Sequence, residues 1–324
     1  MILAGIDIGT NAVRMLIADI GASSFRELAS GRIITRLGQD LDLTGLLSSE
    51  AQERCLAALQ KFSRTVSSFP GAAISVVGTS ALRTAENRDE FVQTLRQRTG
   101  LELRVISGDE EARLTLLGVR RALSPVGRGQ ADPLHSSLVM DIGGGSSELI
   151  LTIAGATAQV QSLPLGAVYL TERHIRNDPP TLRELDAVRA AVHRELDAWE
   201  QELTRSGGLA PKGFATLAGT AGTITTLAAM DLELERYDPG RINGHVLSRS
   251  SLDGLVRALS VTTLEQRRKL RGLEPGREDI ILAGAVICQE VMERCGKRNL
   301  LVSDWGLREG IVLDLYARSH QQPA

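Results

Sequence analysis

Two turns of nearly the same composition suggest chemistry: Asp7-Ile8-Gly9-Thr10-Asn11 and Asp141-Ile142-Gly143-Gly144-Gly145-Ser146. In both, apolar residues lead into Asp-Ile-Gly, then small residues, then a second apolar stretch, Val13–Ile20 in one copy and Leu149–Ile153 in the other. Glycine lets a ligand approach the main chain closely. Successive N–H groups in such a turn form a concave anion site. Asp7 and Asp141, at the strand ends, suit a cation or its waters beside a bound phosphate. One copy alone would read as an ordinary hairpin with a solubilising aspartate. Two copies in matched contexts favour phosphate binding.

Three further features are weaker alone. Gly219-Thr220-Ala221-Gly222-Thr223 opens a helix after a strand, which places N–H groups and a helix N-terminus at an anion; it reads equally as a structural turn. Glu110 and Glu111 stand at a helix start, where acids are common because they suit the helix dipole. Adjacent helical residues point about 100° apart, so only one of the two can serve a site. Arg83 carries a planar fork suited to phosphate, and is otherwise a surface arginine on a helix. The run Arg267-Arg268-Lys269, with Arg271 and Arg277, reads as a solvated face or as a track for a long polyanion.

The elements that position these residues alternate between strand and helix. Residues 2–8, 12–20 and 25–35 are expected as three successive strands, followed by a helix over 49–67 with Leu56, Leu59, Phe62 and Val66 at helical spacing. Next come a strand at Ala73–Val77, a helix carrying Phe91 and Leu95 to Gly100, a strand at Leu103–Ile106 and a helix over Asp109–Ala122. The Pro- and Gly-rich stretch Ser124–His135 is the expected boundary. Beyond it the pattern recurs, with strands at Ser137–Asp141, Glu148–Ile153 and Gln159–Leu163. Helices follow near 182–205, 220–230, 251–260 and 278–295, with strands near Phe214–Leu217 and Asn299–Val302 and an amphipathic helix at Leu307–Ala317. A repeat this long fits a duplicated domain, not a solenoid.

Composition narrows the function classes. The chain has 324 residues, a length that suits two domains, and a net charge of −2 gives no global attraction to nucleic acid. Aromatic residues are 3%, too few for a stacking platform on single strands. The three cysteines, Cys55, Cys288 and Cys295, are irregularly spaced and read as buried thiols in a reducing compartment. No histidine stands in a zinc-binding pattern. No apolar run approaches the ~18 residues of a membrane span, and the opening stretch reads as a strand, not a signal peptide. A cytoplasmic protein without nucleic-acid or membrane partners is expected.

The two hairpins with the Gly219–Thr223 loop resemble the actin-like ATPase superfamily. More closely, the chain is similar to the exopolyphosphatase / guanosine-pentaphosphate phosphohydrolase (Ppx/GppA) family. The resemblance rests on seven segments in order: Asp7–Asn11, Gly78-Thr-Ser-Ala-Leu-Arg83, Ile106-Ser-Gly-Asp-Glu-Glu-Ala-Arg113, Asp141–Glu148, Leu163-Pro-Leu-Gly-Ala167, Ala218–Thr223 and Ser303-Asp-Trp-Gly-Leu-Arg-Glu-Gly310. Thr10 and Ala12 stand where many members have serine; Thr10 keeps the hydroxyl and Ala12 does not.

The resemblance implies an α/β fold of two actin-like (ribonuclease H-like) lobes around a central cleft. The first is expected over 1–124, joined by a C-terminal helix at about 305–324, and the second over 125–304. It implies Glu111 as the catalytic glutamate, and Asp141 and Glu148 at the divalent cation, Mg²⁺ or Mn²⁺, with Asp7 as the first hairpin's counterpart. Gly143, Gly144, Gly145 and Ser146 match the phosphate loop, Thr10, Asn11 and Arg83 face the terminal phosphates, and Gly219 and Thr220 supply the third loop. The implied activity is removal of terminal orthophosphate from inorganic polyphosphate. The alternatives are hydrolysis of the 5′-phosphate of guanosine pentaphosphate and a guanosine-tetraphosphate-binding regulator of the same fold. A homodimer is left open.

Overall fold

Alternating side chains build the first sheet. β1 (Ile2–Ile8), β2 (Ala12–Ile20) and β3 (Phe25–Ile34) form an antiparallel meander, and β4 (Ala73–Gly78) and β5 (Leu103–Val105) add in parallel, in the order β3-β2-β1-β4-β5. The helices here are α1 (Leu41–Thr44), α2 (Ser49–Ser67), α3 (Ser80–Thr84), α4 (Arg88–Thr99) and α5 (Gly108–Leu123). Ala4, Ile6, Ile8, Val13, Met15 and Ile17 share one face and bury against Leu56, Leu59 and Phe62 of α2 and Phe91 and Leu95 of α4. The intervening Leu3, Leu16 and Ala18 take the opposite face. Period two along each strand makes both faces usable.

The second sheet repeats the plan. β6 (Ser137–Ile142), β7 (Ser147–Ile153) and β8 (Ala156–Leu163) form the meander, β9 (Thr216–Thr220) and β11 (Asn299–Val302) add in parallel, and β10 (Val246–Ser248) closes the edge antiparallel to β11. The copies agree in detail. Each hairpin turn is closed by one hydrogen bond of 3.0 Å, Gly9 N to Ala12 O and Gly143 N to Ser146 O. The register shifts between Ile17 and Ala18 in one meander and between Leu151 and Thr152 in the other, both eight residues beyond the turn glycine. A Gly-Thr pair also stands near the end of the next parallel strand in each, Gly78-Thr79 and Gly219-Thr220, but two residues out of step, since Gly78 partners Ile8 and Gly219 partners Met140. This last recurrence was not read from the sequence.

The helices of this half are α6 (Ala167–His174), α7 (Leu182–Arg205), α8 (Ala221–Asp231), α9 (Pro239–Ile242), α10 (Arg249–Val261), α11 (Leu264–Arg267) and α12 (Ile281–Arg294), and the chain's last helix is α13 (Leu307–Gln321). α12 is buried on nearly every side, packing Ile281, Val286 and Val291 into one core with Leu138, Met140 and Leu149 of the sheet and Val188 and Val192 of α7. The short pieces α1, α6, α9, α11 and β10 carry too few residues to show a period, and sequence reading passes over them.

The structure describes residues 1–22, 24–123, 132–205 and 213–321 of a computed structural model. The chain divides into two compact units, Met1–Gly118 with Gly306–Ala324, and Val119–Trp305. The division falls within α5; residues 124–131 of the expected boundary segment lie outside the described residues. Among the described residues no helix is long and apolar enough to cross a membrane. The three cysteines are buried and unbridged, and burial pushes the Cys55 thiol up to about 12.

Two members of the basic cluster are buried, which neither reading of it expected. Arg267 is 1% exposed. Its Nε and Nη2 donate to the Leu259 carbonyl at 3.1 and 2.7 Å, and its Nη1 donates to the Glu278 carbonyl at 3.0 Å. Arg277 is buried against Glu274, Arg268 pairs with Glu278 at 3.0 Å, Lys269 with Glu265 at 3.2 Å and Arg271 with Glu235 at 3.2 Å. Arg267 ties α10 to the loop before α12, and the other cations have local acids. Arg267 and Arg277 are thus structural cations, whereas Arg268, Lys269 and Arg271 remain largely exposed in surface pairs.

Glycine spacing sets how α5 and α13 meet in the first unit. A Cβ on Gly118 would overlap the Gly306 backbone, and one on Gly310 would overlap the Leu114 carbonyl. Gly310→Ala is therefore expected to destabilise by about 3 kcal/mol, since neither backbone can yield cheaply. Gly100→Ala, at a helix end with φ +70° and open space, should cost only about 1 kcal/mol. Urea midpoints of the two variants test this; equal losses would show that the helices slide apart at little cost.

Candidate active site

In the first unit the hairpin turn holds its groups by backbone bonds. The Asn11 carbonyl accepts from Thr35 N at 3.0 Å and Arg36 N at 2.9 Å, and the Thr10 carbonyl accepts from Gly38 N at 2.9 Å. Gly38 has no Cβ because the Thr10 methyl occupies that space. Thr10 and Asn11 are each 7% exposed. The Asn11 side-chain nitrogen is buried with no hydrogen-bond partner among the described residues. An orphaned buried donor costs about 1–3 kcal/mol, which an anionic ligand would recover.

Arg83 of α3 and Glu111 of α5 meet directly, Nη1 to Oε2 at 2.5 Å, and the same Nη1 donates to the Ile106 carbonyl at 3.2 Å. Strand β5 and the turn after it bring these two helices together. The 100° difference between neighbouring helical residues then separates the two glutamates. Glu111 is buried, whereas Glu110 is bound by Arg104 at 2.6 and 2.7 Å. Ser107 caps α5 by accepting from Glu110 N at 3.1 Å.

In the second unit the Gly143–Ser146 loop is oriented by α6. Ala167 N donates to the Gly143 carbonyl at 3.0 Å, and Val168 N and Tyr169 N donate to the Gly144 carbonyl at 2.9 and 3.1 Å. In a planar trans peptide the N–H points opposite the carbonyl. The amides of Gly144 and Gly145 are thereby turned away from α6, as an anion-binding turn requires. Gly166 makes this possible, because a Cβ there would overlap Gly144. Gly166 was not singled out from the sequence, although it lies in the Leu163–Ala167 segment.

Strand register then lines up a polar row. Thr220, Asp141, Glu148 and Ser162 are successive Cα partners across β9, β6, β7 and β8. Asp141 and Glu148 are 6% and 1% exposed. Glu148 Oε1 accepts from Ser146 Oγ at 3.0 Å and Ser162 Oγ at 2.8 Å, which fixes the carboxylate's direction. Thr220 Oγ1 donates to the Trp305 carbonyl at 2.9 Å and does not cap α8. Ala221, the first residue of α8, has φ +69°, a strain of roughly 1–2 kcal/mol for a residue with a Cβ. Gly219 makes room for Ile224 and Leu300.

Asp7 lies in the corresponding row of the first unit, where its Cα partner is Arg14. Among the described residues no three His, Cys, Asp or Glu side chains gather as a metal cage. The Asp141–Glu148 pair still fits Mg²⁺ or Mn²⁺: Mg²⁺ commonly takes one or two carboxylates, keeps waters and shares substrate phosphates. Gly166→Ala is expected to speed amide hydrogen exchange at Ala167–Tyr169, whose N–H groups hold the loop carbonyls. Unchanged exchange would show that the loop accommodates the methyl.

The chain matches the Ppx/GppA phosphatase family over residues 16–319. It is 34% identical to Exopolyphosphatase 2 of Mycobacterium tuberculosis over 334 aligned positions, 97% of this chain and 98% of that one. It is similar to the crystal structure of the Aquifex aeolicus member of the Ppx/GppA family, with TM-score 0.80, 32% identity and 99% of each chain covered. It is also similar to an exopolyphosphatase from Cytophaga hutchinsonii, with TM-score 0.87, 25% identity and 98% of each covered. The chain belongs to the Ppx/GppA phosphatase family and is a phosphoanhydride hydrolase.

Proposed function

We propose that this enzyme releases orthophosphate from the end of inorganic polyphosphate, with a divalent cation, Mg²⁺ or Mn²⁺. The observation that carries the reading is the Arg83–Glu111 contact: a buried carboxylate held in place by a phosphate-seeking guanidinium. Hydrolysis needs a base for the attacking water and donors for the charge on the phosphate oxygens. Glu111 takes the water's proton, and Arg83 orients it and faces the phosphate. The amides of Gly144 and Gly145 and the side chain of Asn11 are suited to the oxygens. The relatives named as exopolyphosphatases support polyphosphate as the substrate.

Asp141 and Glu148 would hold the cation, because two carboxylates directly opposite repel unless a positive charge lies between or beside them. When bound, it supplies positive charge to the phosphate oxygens. Asp7, opposite Arg14, has no such need, so the second hairpin is the better place for it.

Two outcomes are expected. Glu111→Gln should lower kcat by on the order of 10²–10⁴ with KM little changed, and Glu110→Gln should be mild. Phosphate release from long polyphosphate, tripolyphosphate and guanosine pentaphosphate, measured side by side, checks both the base and the substrate. A fully active Glu111→Gln enzyme would remove the base, and preference for guanosine pentaphosphate would remove polyphosphate. Asp141→Asn and Glu148→Gln should each raise the Mg²⁺ concentration needed for half activity and weaken Mn²⁺ binding in calorimetry. Unaltered Mn²⁺ affinity in both would rule these ligands out.

A further inference from the structure

Arg83 belongs to more than its contact with Glu111. It also lines a pocket of about 470 Å³ in the first unit, together with Arg88 and Asp89 from the first turn of α4 and with Val92, Leu103 and Val105 as apolar walls. A volume of this order is typical of a small-molecule site. Glu111 is not part of the lining, so Arg83 is the side chain that joins the pocket to the proposed base.

The pocket carries two cations and one carboxylate. Arg88 Nε pairs with Asp89 at 2.9 Å, and its Nη1 and Nη2 have no partner among the described residues. The Arg88 side chain is 39% exposed, so these two groups are open to a ligand from solvent. Two guanidiniums with one carboxylate leave a net positive charge, and their planar forks suit phosphate oxygens. The apolar walls add no further donors. An anion here is held by few bonds, which suits a species that must leave.

The chemistry of hydrolysis indicates which anion. Water attacks the terminal phosphorus roughly in line with the oxygen that departs. The water's proton goes to Glu111, the bridging P–O bond breaks, and the shortened chain keeps the bridging oxygen. The base and the departing chain thus lie on opposite sides of the phosphorus. The side away from the chain is the side of Glu111 and of Arg83, which lines the pocket. We propose that this pocket is a release site for the orthophosphate product, in which Arg88 takes the ion from Arg83 before it reaches solvent. This rests on the proposed reaction with Glu111 as base, but not on the choice between polyphosphate and guanosine pentaphosphate.

Product inhibition tests it, with radiolabelled polyphosphate or guanosine pentaphosphate as substrate and unlabelled orthophosphate as the added inhibitor. In the parent enzyme the inhibition should have a noncompetitive component, because a release site lies outside the place of the terminal phosphate. Arg88→Gln should raise the noncompetitive inhibition constant about fivefold, the scale of a partly exposed charge pair, with KM unchanged. Asp89→Asn should lower the same constant, because it removes the pocket's carboxylate and frees Arg88 Nε. Purely competitive inhibition of the parent, or one inhibition constant for all three proteins, would overturn the assignment. So would a raised KM in Arg88→Gln, which would make Arg88 a substrate contact, and so would shifts of the same sign in both variants, which would mark a general loosening of α4. If the parent hydrolyses neither substrate, the proposed reaction fails and the release site with it. If it hydrolyses either one while orthophosphate inhibits all three proteins alike, only the release site fails.

Discussion

Hairpin register is the constraint on which this enzyme's site depends. Each Asp-Ile-Gly turn is closed by one backbone bond, and that bond sets which residue of the second strand lies opposite the aspartate. Side chains alternate with period two, so a slip of one residue would send Arg14 or Glu148 to the opposite face of its sheet and bring an apolar residue forward. The partner of each aspartate, Arg14 in one unit and Glu148 in the other, follows from the turn's length and not from any long-range contact.

Close packing of glycine protects that register. Gly166 lets α6 press its first N–H groups onto the loop carbonyls, which aims the loop amides the other way. Gly38 admits the Thr10 methyl, and Gly118 and Gly310 let α5 and α13 cross at backbone distance. α5 carries Glu111, so the crossing that anchors the last helix also anchors the proposed base. In each case a missing Cβ allows one backbone to orient another, a more rigid device than a side-chain contact, which retains rotamer freedom.

Charge is distributed by the same economy. The densest run of cations in the chain is held by carbonyls and acids around α11, and Arg267 has no exposed surface to offer a ligand. The cation proposed for the substrate phosphate is instead Arg83, held on a short helix by Glu111 and the Ile106 carbonyl. A net charge of −2 is compatible with an anionic substrate because binding relies on a few placed donors and not on a general positive field.

Much of this was legible in the sequence. The two Asp-Ile-Gly turns, the alternating strands around them and the motif order pointed to a duplicated α/β chain of the Ppx/GppA family, because period and turn chemistry are local properties. The angle between adjacent helical residues already limited the base to one of Glu110 and Glu111. The short elements were not legible: α6 and β10 have no period to read, and they matter through what they touch. Nor was the fate of Arg267, since a basic run looks alike whether it faces water or a carbonyl. Tertiary structure alone decided which glutamate Arg83 holds and which carbonyls α6 draws back. Each of these depends on cross-strand partners or on helices distant in sequence, and no window along the chain contains both members of such a pair.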